Sequence, residues 1–356
     1  MSKTTRIILW ALCTVLIVMA PFVISSPNML GEVKTALTNQ MDETDEEESE
    51  ELDFGRILFS TAMAEESDDD ELIEETVDDD GSLFGEPVYT LPLDFTSAPA
   101  PKAENYTETG YEDETIKVEM EEREVNGVIW HIAFVQIASP TQLRTGTAVP
   151  DKLTSTRTAS VSGMAKNYNA VVAINGDNYI DNPQKTTFEY RMTQKIRSKT
   201  NKMKDMLLID ENADFHLVLA SPKEEQSAAL QAIASEHTIV NAFTFGPALV
   251  VDGAEQEIDS EYGYNPGGKE PRAAIGQTGK LSYVMVIAEG RGESSGVSQQ
   301  ELAHFMAELG CQQAFNLDGG NSAEMVFGDQ ILKGMPGGSE RGLSDIIYFA
   351  TAVPEE

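Results

Sequence analysis

Four segments of the chain set carboxylates, carboxamides or arginines beside glycines where a buried strand stops. The richest is Phe315-Asn316-Leu317-Asp318-Gly319-Gly320-Asn321-Ser322. A strand leads into Asp318, and the two glycines after it let backbone N–H groups approach an anion closely. Residues 170–174 run straight into Asn175-Gly176-Asp177-Asn178-Tyr179, which presents amides and a second carboxylate, although a plain turn needs only Asn-Gly. Pro271-Arg272-Ala273-Ala274-Ile275-Gly276 carries one arginine on an otherwise small and apolar strand. That arginine either pairs internally or waits for an anionic ligand, because its planar fork suits carboxylate and phosphate equally. Glu289-Gly290-Arg291-Gly292 repeats the pattern of charge plus glycine after a strand at 283–287. Together these groups can bind an anion and offer a carboxylate to a reacting centre. The bland alternative is an Asx turn for Asp318 and a structural ion pair for each arginine.

Such loops need strands to hold them. Stretches rich in β-branched residues recur at 128–137, 170–174, 206–209, 215–219, 248–251, 283–287 and 346–352, each bounded by Gly, Pro, Asn or Asp. Helices are fewer. Residues 223–236 read as an amphipathic helix with Ser221 as N-cap, and residues 298–309 as another, with Ser298 as N-cap and Glu301 as its capping-box partner. The expected fold is therefore α+β, a mixed β-sheet domain with a few packing helices. No two histidines stand at metal-ligand spacing. His131 lies within a strand, His216 starts one, His237 is near a helix end and His304 is on an exposed face, so a histidine-based zinc site is not expected. Ser162-Gly163 and Ser294-Ser295-Gly296 lack the strand-elbow context of a hydrolase nucleophile.

The 356 residues carry a net charge of −35, unevenly spread. Residues 32–115 hold 28 acidic and 3 basic side chains, whereas residues 116–356 carry −12. An acidic surface without a basic stripe excludes nucleic acid as a partner. Lys3 and Arg6 precede an uncharged apolar run at 7–24, long enough to span a bilayer with the N-terminus inside. An uncleaved membrane anchor is the preferred reading of residues 1–31, with a cleaved signal peptide as the rival. Either places the rest of the chain outside the cytoplasm. Residues 32–110 read as a disordered acidic linker, self-repelling and broken by prolines, with two apolar islands at 54–64 and 83–93. Residues 111–356 read as the folded domain. Cys13 and Cys311 occupy such different contexts that no internal disulfide is expected, and Cys311 reads as a buried structural thiol.

Taken in order, Asn175-Gly176-Asp177, the run Phe245-Gly246-Pro247-Ala248-Leu249-Val250-Val251-Asp252-Gly253, Pro271-Arg272-Ala273-Ala274-Ile275-Gly276, Glu289-Gly290-Arg291 and Asn316-Leu317-Asp318-Gly319-Gly320-x-Ser322 resemble the phosphodiester glycosidase family. The resemblance runs from about Tyr111 to Val353, and Asn-Leu-Asp-Gly-Gly is its most specific piece. The family more often has Asp where this chain has Glu289, and Gly where it has Asp177. The resemblance implies hydrolysis of a sugar-1-phosphodiester at the glycosidic bond, releasing free sugar and a phosphomonoester. That reaction builds oxocarbenium character and expels a good leaving group, so a carboxylate matters more than a general acid. Asp318 is the expected carboxylate, with Glu289 or Asp177 as its partner. Arg272, Arg291 and Arg341 are expected around the phosphate beside the Gly319 and Gly320 amides, and Asn175, Asn316 and Ser322 are expected to orient the sugar or the loop. No cofactor is required, and a Ca²⁺ or Mg²⁺ on Asp177 or Asp318 stays open. The expected partner is a phosphoglycan of a cell surface or secreted polymer. The competing readings are a non-catalytic phosphoglycan-binding protein of envelope or exopolysaccharide assembly, and a phosphodiesterase that cuts the P–O bond instead.

Overall fold

The computed structural model describes residues 97–150, 152–181, 188–198 and 204–354. The expected membrane segment 1–31, and the acidic linker up to residue 96, lie outside them. Among the described residues no helix is long and apolar enough to cross a membrane.

Among the described residues strand alternation builds three sheets. The largest has eight strands in the order β1 (Gly110–Glu112), β2 (Ile116–Val125), β3 (Val128–Ile137), β14 (Ser282–Ala288), β13 (Arg272–Gly279), β15 (Gln313–Asn316), β11 (Ala248–Val251) and β12 (Ala254–Glu255). The second runs β7 (Gln194–Ser198), β6 (Phe188–Arg191), β10 (Ile239–Phe243), β8 (Met206–Asp210) and β9 (Phe215–Val218). The third runs β17 (Gln330–Lys333), β16 (Glu324–Phe327), β5 (Val172–Asn175), β18 (Asp345–Phe349) and β4 (Leu143–Thr147). Among the described residues three α-helices accompany them: α1 (Val161–Asn167), α2 (Lys223–Glu236) and α3 (Gln299–Glu308).

Because side chains alternate across a strand, each sheet has two apolar faces to cover. In β3, Ala133, Val135 and Ile137 join Met285 and Ile287 of β14, Leu207 and Ile209 of β8, and Ile174, Met325 and Ile347 of the third sheet in one central core. The opposite residues, Val128, Trp130 and Ile132, pack with Leu302, Phe305 and Met306 of α3, where Trp130 stacks on Phe305 with ring centroids 3.8 Å apart. Likewise α1 covers the third sheet through Val161, Met164 and Ala165, and α2 covers the second through Leu230. Each such buried Leu, Ile or Phe contributes about 1.5–3 kcal/mol. The three sheets thus share one interior, and each wears one helix outside.

The α+β class stands, but the sheet is not mixed. Every strand pair among the described residues is antiparallel. Seven of the fifteen pairs join consecutive strands through short connections, which makes them antiparallel, and the eight that join strands distant in sequence are antiparallel as well. Helix α2 begins as expected but with Pro222 at its N-cap and no side-chain cap, not with Ser221. The capping box of Ser298 and Glu301 on α3 is present. The folded part starts before residue 111. Ala98 is buried, its carbonyl accepts from Asn169 Nδ2, and Tyr106 Oη donates to Val171 O at 3.2 Å. Pro99 and Pro101 are compatible with an extended strap as well as with a spacer. Cys311 is buried, and burial pushes its thiol up to about 12.

Candidate active site at the junction of the three sheets

The C-terminal ends of β15, β5 and β10 meet the start of β18, and the polar residues converge there. β15 buries Phe315 in the core, Leu317 just beyond its end is buried there too, and Asp318 follows. Asn175 then locks the loop: its Nδ2 donates to the Asp318 carbonyl at 2.7 Å and its Oδ1 accepts the Glu324 amide at 3.1 Å. The Asp318 amide in turn donates to Gly176 O. Past Asp318, Gly320 turns at φ +61°, a left-handed conformation that glycine adopts without strain, and Ser322 closes a short 3₁₀ turn.

Asp318 is 9% exposed, and its Oδ2 accepts no hydrogen bond from the protein. Arg341 Nη1 lies 3.9 Å from that oxygen and donates to Ser322 Oγ at 2.8 Å, while Arg341 Nη2 pairs with Asp181 at 2.8 Å. Burial pushes the Asp318 carboxyl up to about 6, against the pull of Ser322, Arg341 and Asn178. On the other side of the loop Arg291 pairs with Glu270 at 2.6 Å, donates to Asn321 Oδ1 and rests against Gly320. Both arginines are half-exposed. A recessed carboxylate with Arg341 beside it, and Arg291 against the glycine turn that follows, can hold an anionic ester and present an oxygen to the bond beside it.

Behind Asp318 lies a fully buried ion cluster. Arg191 of β6 reaches Asp177 Oδ1 at 2.7 Å, Asp345 Oδ2 at 2.8 Å and Glu189 Oε2 at 3.0 Å, with its guanidinium 3.9 Å above the centre of the Phe243 ring. Glu189 also accepts from Thr244 Oγ1 at 2.6 Å. Gly176 is required here, since a side chain would collide with the Asp345 carboxylate. Burial first, and then Asp345, lift Asp177 to about 6, although Arg191 holds it down. Burial, and then the charge of Asp177, raise Glu189 well above the usual carboxylate range. One cation facing three carboxylates leaves an excess of negative charge, and a retained proton relieves it. The Asn178 amide joins the cluster to the surface loop, donating to Asp345 Oδ1 while its side chain donates to Asp181.

The expected residues divide accordingly. Asp318, Ser322 and Arg341 come together, and Arg291 rests against Gly320 in the same loop. Asp177 sits behind it, wholly buried, with its oxygens turned to Arg191 and the Thr244 amide, so it acts on the site through charge. Glu289 is not brought to Asp318: its Oε1 is 2.8 Å from His131 Nε2. Arg272 does not face an open anion pocket, because it donates to the carbonyls of Val297, Tyr264, Asn265 and Gly268 and staples that loop. The Gly320 amide is spent on Pro271 O, and Asn316 Nδ2 on Gly246 O. Asn175 therefore positions backbone, as does Asn316 through Nδ2, while Asn316 Oδ1 is buried without a hydrogen-bond partner. Sequence reasoning missed Glu189, Arg191, Asp345 and Asn178. The signal was Phe188-Glu189-Tyr190-Arg191, charges alternating with aromatics in a strand whose four residues are all buried. It missed Tyr264 too, whose ring stacks on Phe245 at 3.9 Å and whose hydroxyl is held neutral by burial and by the fields of Asp177, Asp318 and Glu189. A separate cleft of about 700 Å³, lined by Tyr106, Lys166, Phe327 and Ile331, contains none of these groups. Residues of metal-ligating type also gather away from Asp318, at Asp210, His216 and His237.

A curated protein matched by this chain is the SPbeta prophage-derived uncharacterized protein YomE of Bacillus subtilis, 31% identical over 111 residues, or 31% of this chain and 17% of that protein. The chain therefore spans about a sixth of that relative's length. Among solved structures, the catalytic domain of zebrafish N-acetylglucosamine-1-phosphodiester alpha-N-acetylglucosaminidase, auto-inhibited by its pro-peptide, superposes with a TM-score of 0.52 at 14% identity, covering 71% of this chain and 87% of that one. A hypothetical protein from Synechocystis gives 0.46 at 16% identity, over 67% and 62% of the two chains. At such identities the zebrafish likeness is one of fold. The phosphodiester glycosidase family model matches residues 168–350, which runs from just before β5 to just after β18 and takes in the whole Asp318 loop. More than half of the chain falls within that match, and the chain belongs to the phosphodiester glycosidase family.

Proposed function

We propose that this chain hydrolyses sugar-1-phosphodiesters of cell-surface or secreted glycans at the glycosidic bond, releasing free sugar and a phosphomonoester. The observation that carries this reading is the Asp318 carboxylate, recessed, with Oδ2 free of hydrogen bonds from the protein and Arg341 at 3.9 Å. The ionised carboxylate supports positive charge developing at the anomeric carbon, by attack or by field, as the C–O bond to phosphate breaks. Arg341 and Arg291 neutralise the phosphomonoester as its charge grows, and each must exchange an internal carboxylate partner for substrate. Phosphate leaves without a strong general acid, consistent with Glu289 being engaged with His131.

The test is product analysis of the full-length chain, in mild detergent, with a panel of sugar-1-phosphodiesters in ¹⁸O-water. Label in the sugar supports the glycosidase, and label in the phosphate would mean P–O cleavage. Saturable phosphoglycan binding without turnover would favour the non-catalytic reading. Replacing Arg341 by alanine is expected to raise KM about 10- to 100-fold, the worth of a charge-assisted hydrogen bond, with a smaller change in kcat. Steady-state kinetics on any turned-over substrate check this, and an unchanged KM removes Arg341 from the anion pocket.

The arrangement also includes export, with residues 1–31 as anchor, an acidic spacer from residue 32 that ends ahead of the buried Ala98, and the remainder as the catalytic domain. The uncharged run at 7–24 behind Lys3 and Arg6 supports it. The N-terminal mass of the mature chain separates an uncleaved anchor from a removed signal peptide.

A further inference from the structure

His216 and His237 are far apart for ligands in sequence, yet the fold sets them side by side. His216 stands on β9, and His237 is the C-cap residue of α2, just before β10. Their rings lie 4.8 Å apart between centroids, and His216 Nε2 and His237 Nδ1 are each 3.0 Å from one oxygen, Asp210 Oδ2. Asp210 ends β8 with its side chain fully buried, and its other oxygen accepts the amides of Asn212 and Asp214 at 2.8 and 2.9 Å. The β8–β9 turn therefore aims Oδ2 at the imidazoles. Glu211 adds a further oxygen, Oε1, 3.8 Å from His237 Nδ1.

We propose that Asp210, His216, His237 and Glu211 bind zinc or a similar divalent transition metal, and that the ion pins helix α2 to the β8–β9 hairpin. Two imidazoles and two carboxylates are a donor set for such an ion, whereas Ca²⁺ and Mg²⁺ prefer oxygen throughout. The nitrogen and oxygen atoms of Asp210, His216 and His237 all fall within 4.8 Å of one another. Tetrahedral zinc asks for ligand atoms about 3.4 Å apart. The two imidazole side chains, 25% and 28% exposed, have room to close that gap by rotation. His237 Nδ1 is buried and makes no hydrogen bond in spite of its distance from Asp210 Oδ2, so the nitrogen is not oriented as a donor to it. The second ligand shell is also built, since Glu211 Oε2 accepts the Thr238 amide at 2.6 Å. The ion would close a loop containing all of α2 and brace the sheet that carries Glu189 and Arg191. This inference stands whether or not the chain is a glycosidase.

The experiment uses the full-length chain in mild detergent, stripped of metal with a chelator and titrated with zinc in excess magnesium, so that the acidic linker is saturated. Calorimetry should give one equivalent of zinc, and at a hundredfold excess over Kd the Tm should rise by about 5 °C or more. Cobalt should give visible ligand-field bands of four-coordinate intensity. His216→Gln and His237→Gln should each lose at least tenfold in affinity and the zinc-dependent rise in Tm, while their metal-free Tm stays near that of the metal-free parent. If the parent takes up no zinc beyond what both variants bind, the triad is an ionic contact and the proposal fails. If one variant does not fold, the other alone decides.

Discussion

Asp318→Asn is expected to fold and to lose turnover by about 10³-fold or more, the effect of removing a carboxylate that acts on the reacting centre. The two amino acids are nearly isosteric, and Asn175 holds the backbone of Asp318, not its side chain, so the loop should survive. Stability should move the other way from activity. The carboxyl titrates near 6 in the fold against 3.8 when unperturbed, so between about pH 4 and pH 6 the folded chain keeps a proton that the unfolded chain gives up. Stability from this group is fully present below about pH 4, is lost as pH rises to 6, and above that the native state bears the cost of a buried charge. Asparagine carries no such cost, so the variant should be more stable than the parent at pH 8, by on the order of 1–3 kcal/mol, and no more stable at pH 4. Activity of the parent should fall as pH drops below about 6, where Asp318 becomes protonated. Product release and thermal melts at the two pH values check both halves. Turnover within a few-fold of the parent would exclude Asp318 from the chemistry, and equal loss of Tm and turnover would make its role structural.

Arg191→Met is expected to cost about 3–5 kcal/mol, the penalty for leaving a buried charge without its partner. That is a large part of the roughly 5–15 kcal/mol that holds a typical domain together. Methionine approximates the arginine stem and can still lie over Phe243, so packing is largely kept and the loss is electrostatic. The deficit should shrink on acidification, because Asp177 and Glu189, already raised by burial, take up protons once the cation is gone. Adding Asp177→Asn, Asp345→Asn and Glu189→Gln to Arg191→Met should recover much of the stability, since a buried ion cluster can be replaced by neutral groups when all its members go together. Urea unfolding at pH 5 and pH 7.5 measures this. A cost below about 1 kcal/mol, or one independent of pH, would mean that the cluster is not charged as described.

Residue by residue, the local features were readable in advance. The strand at β3 has the bounds expected for it, helix α2 ends where expected, and the Ser298–Glu301 capping box forms, because these depend on contacts within a few residues. That the strand ends by Asp318 was readable for the same reason, since two glycines in a row break a strand. The mixed sheet was misjudged because a strand's own pattern does not say which way its neighbour runs. Arg272 was misplaced because a lone arginine in an apolar strand looks the same whether it meets a ligand or, as here, four carbonyls of a loop brought up by α3.

What the sequence determined by itself was the family, the order of its motifs, the caps of α3 and the strand ends that carry Asn175 and Asp318. The tertiary structure alone decided which charges meet. Arg191 pairs with Asp345 across 154 residues, and His216 reaches His237 across the whole of α2. The physical reason is that a local turn is specified by covalent neighbours and steric preference. The charge state of a carboxylate is set by desolvation and by whichever distant groups the folded core presses against it.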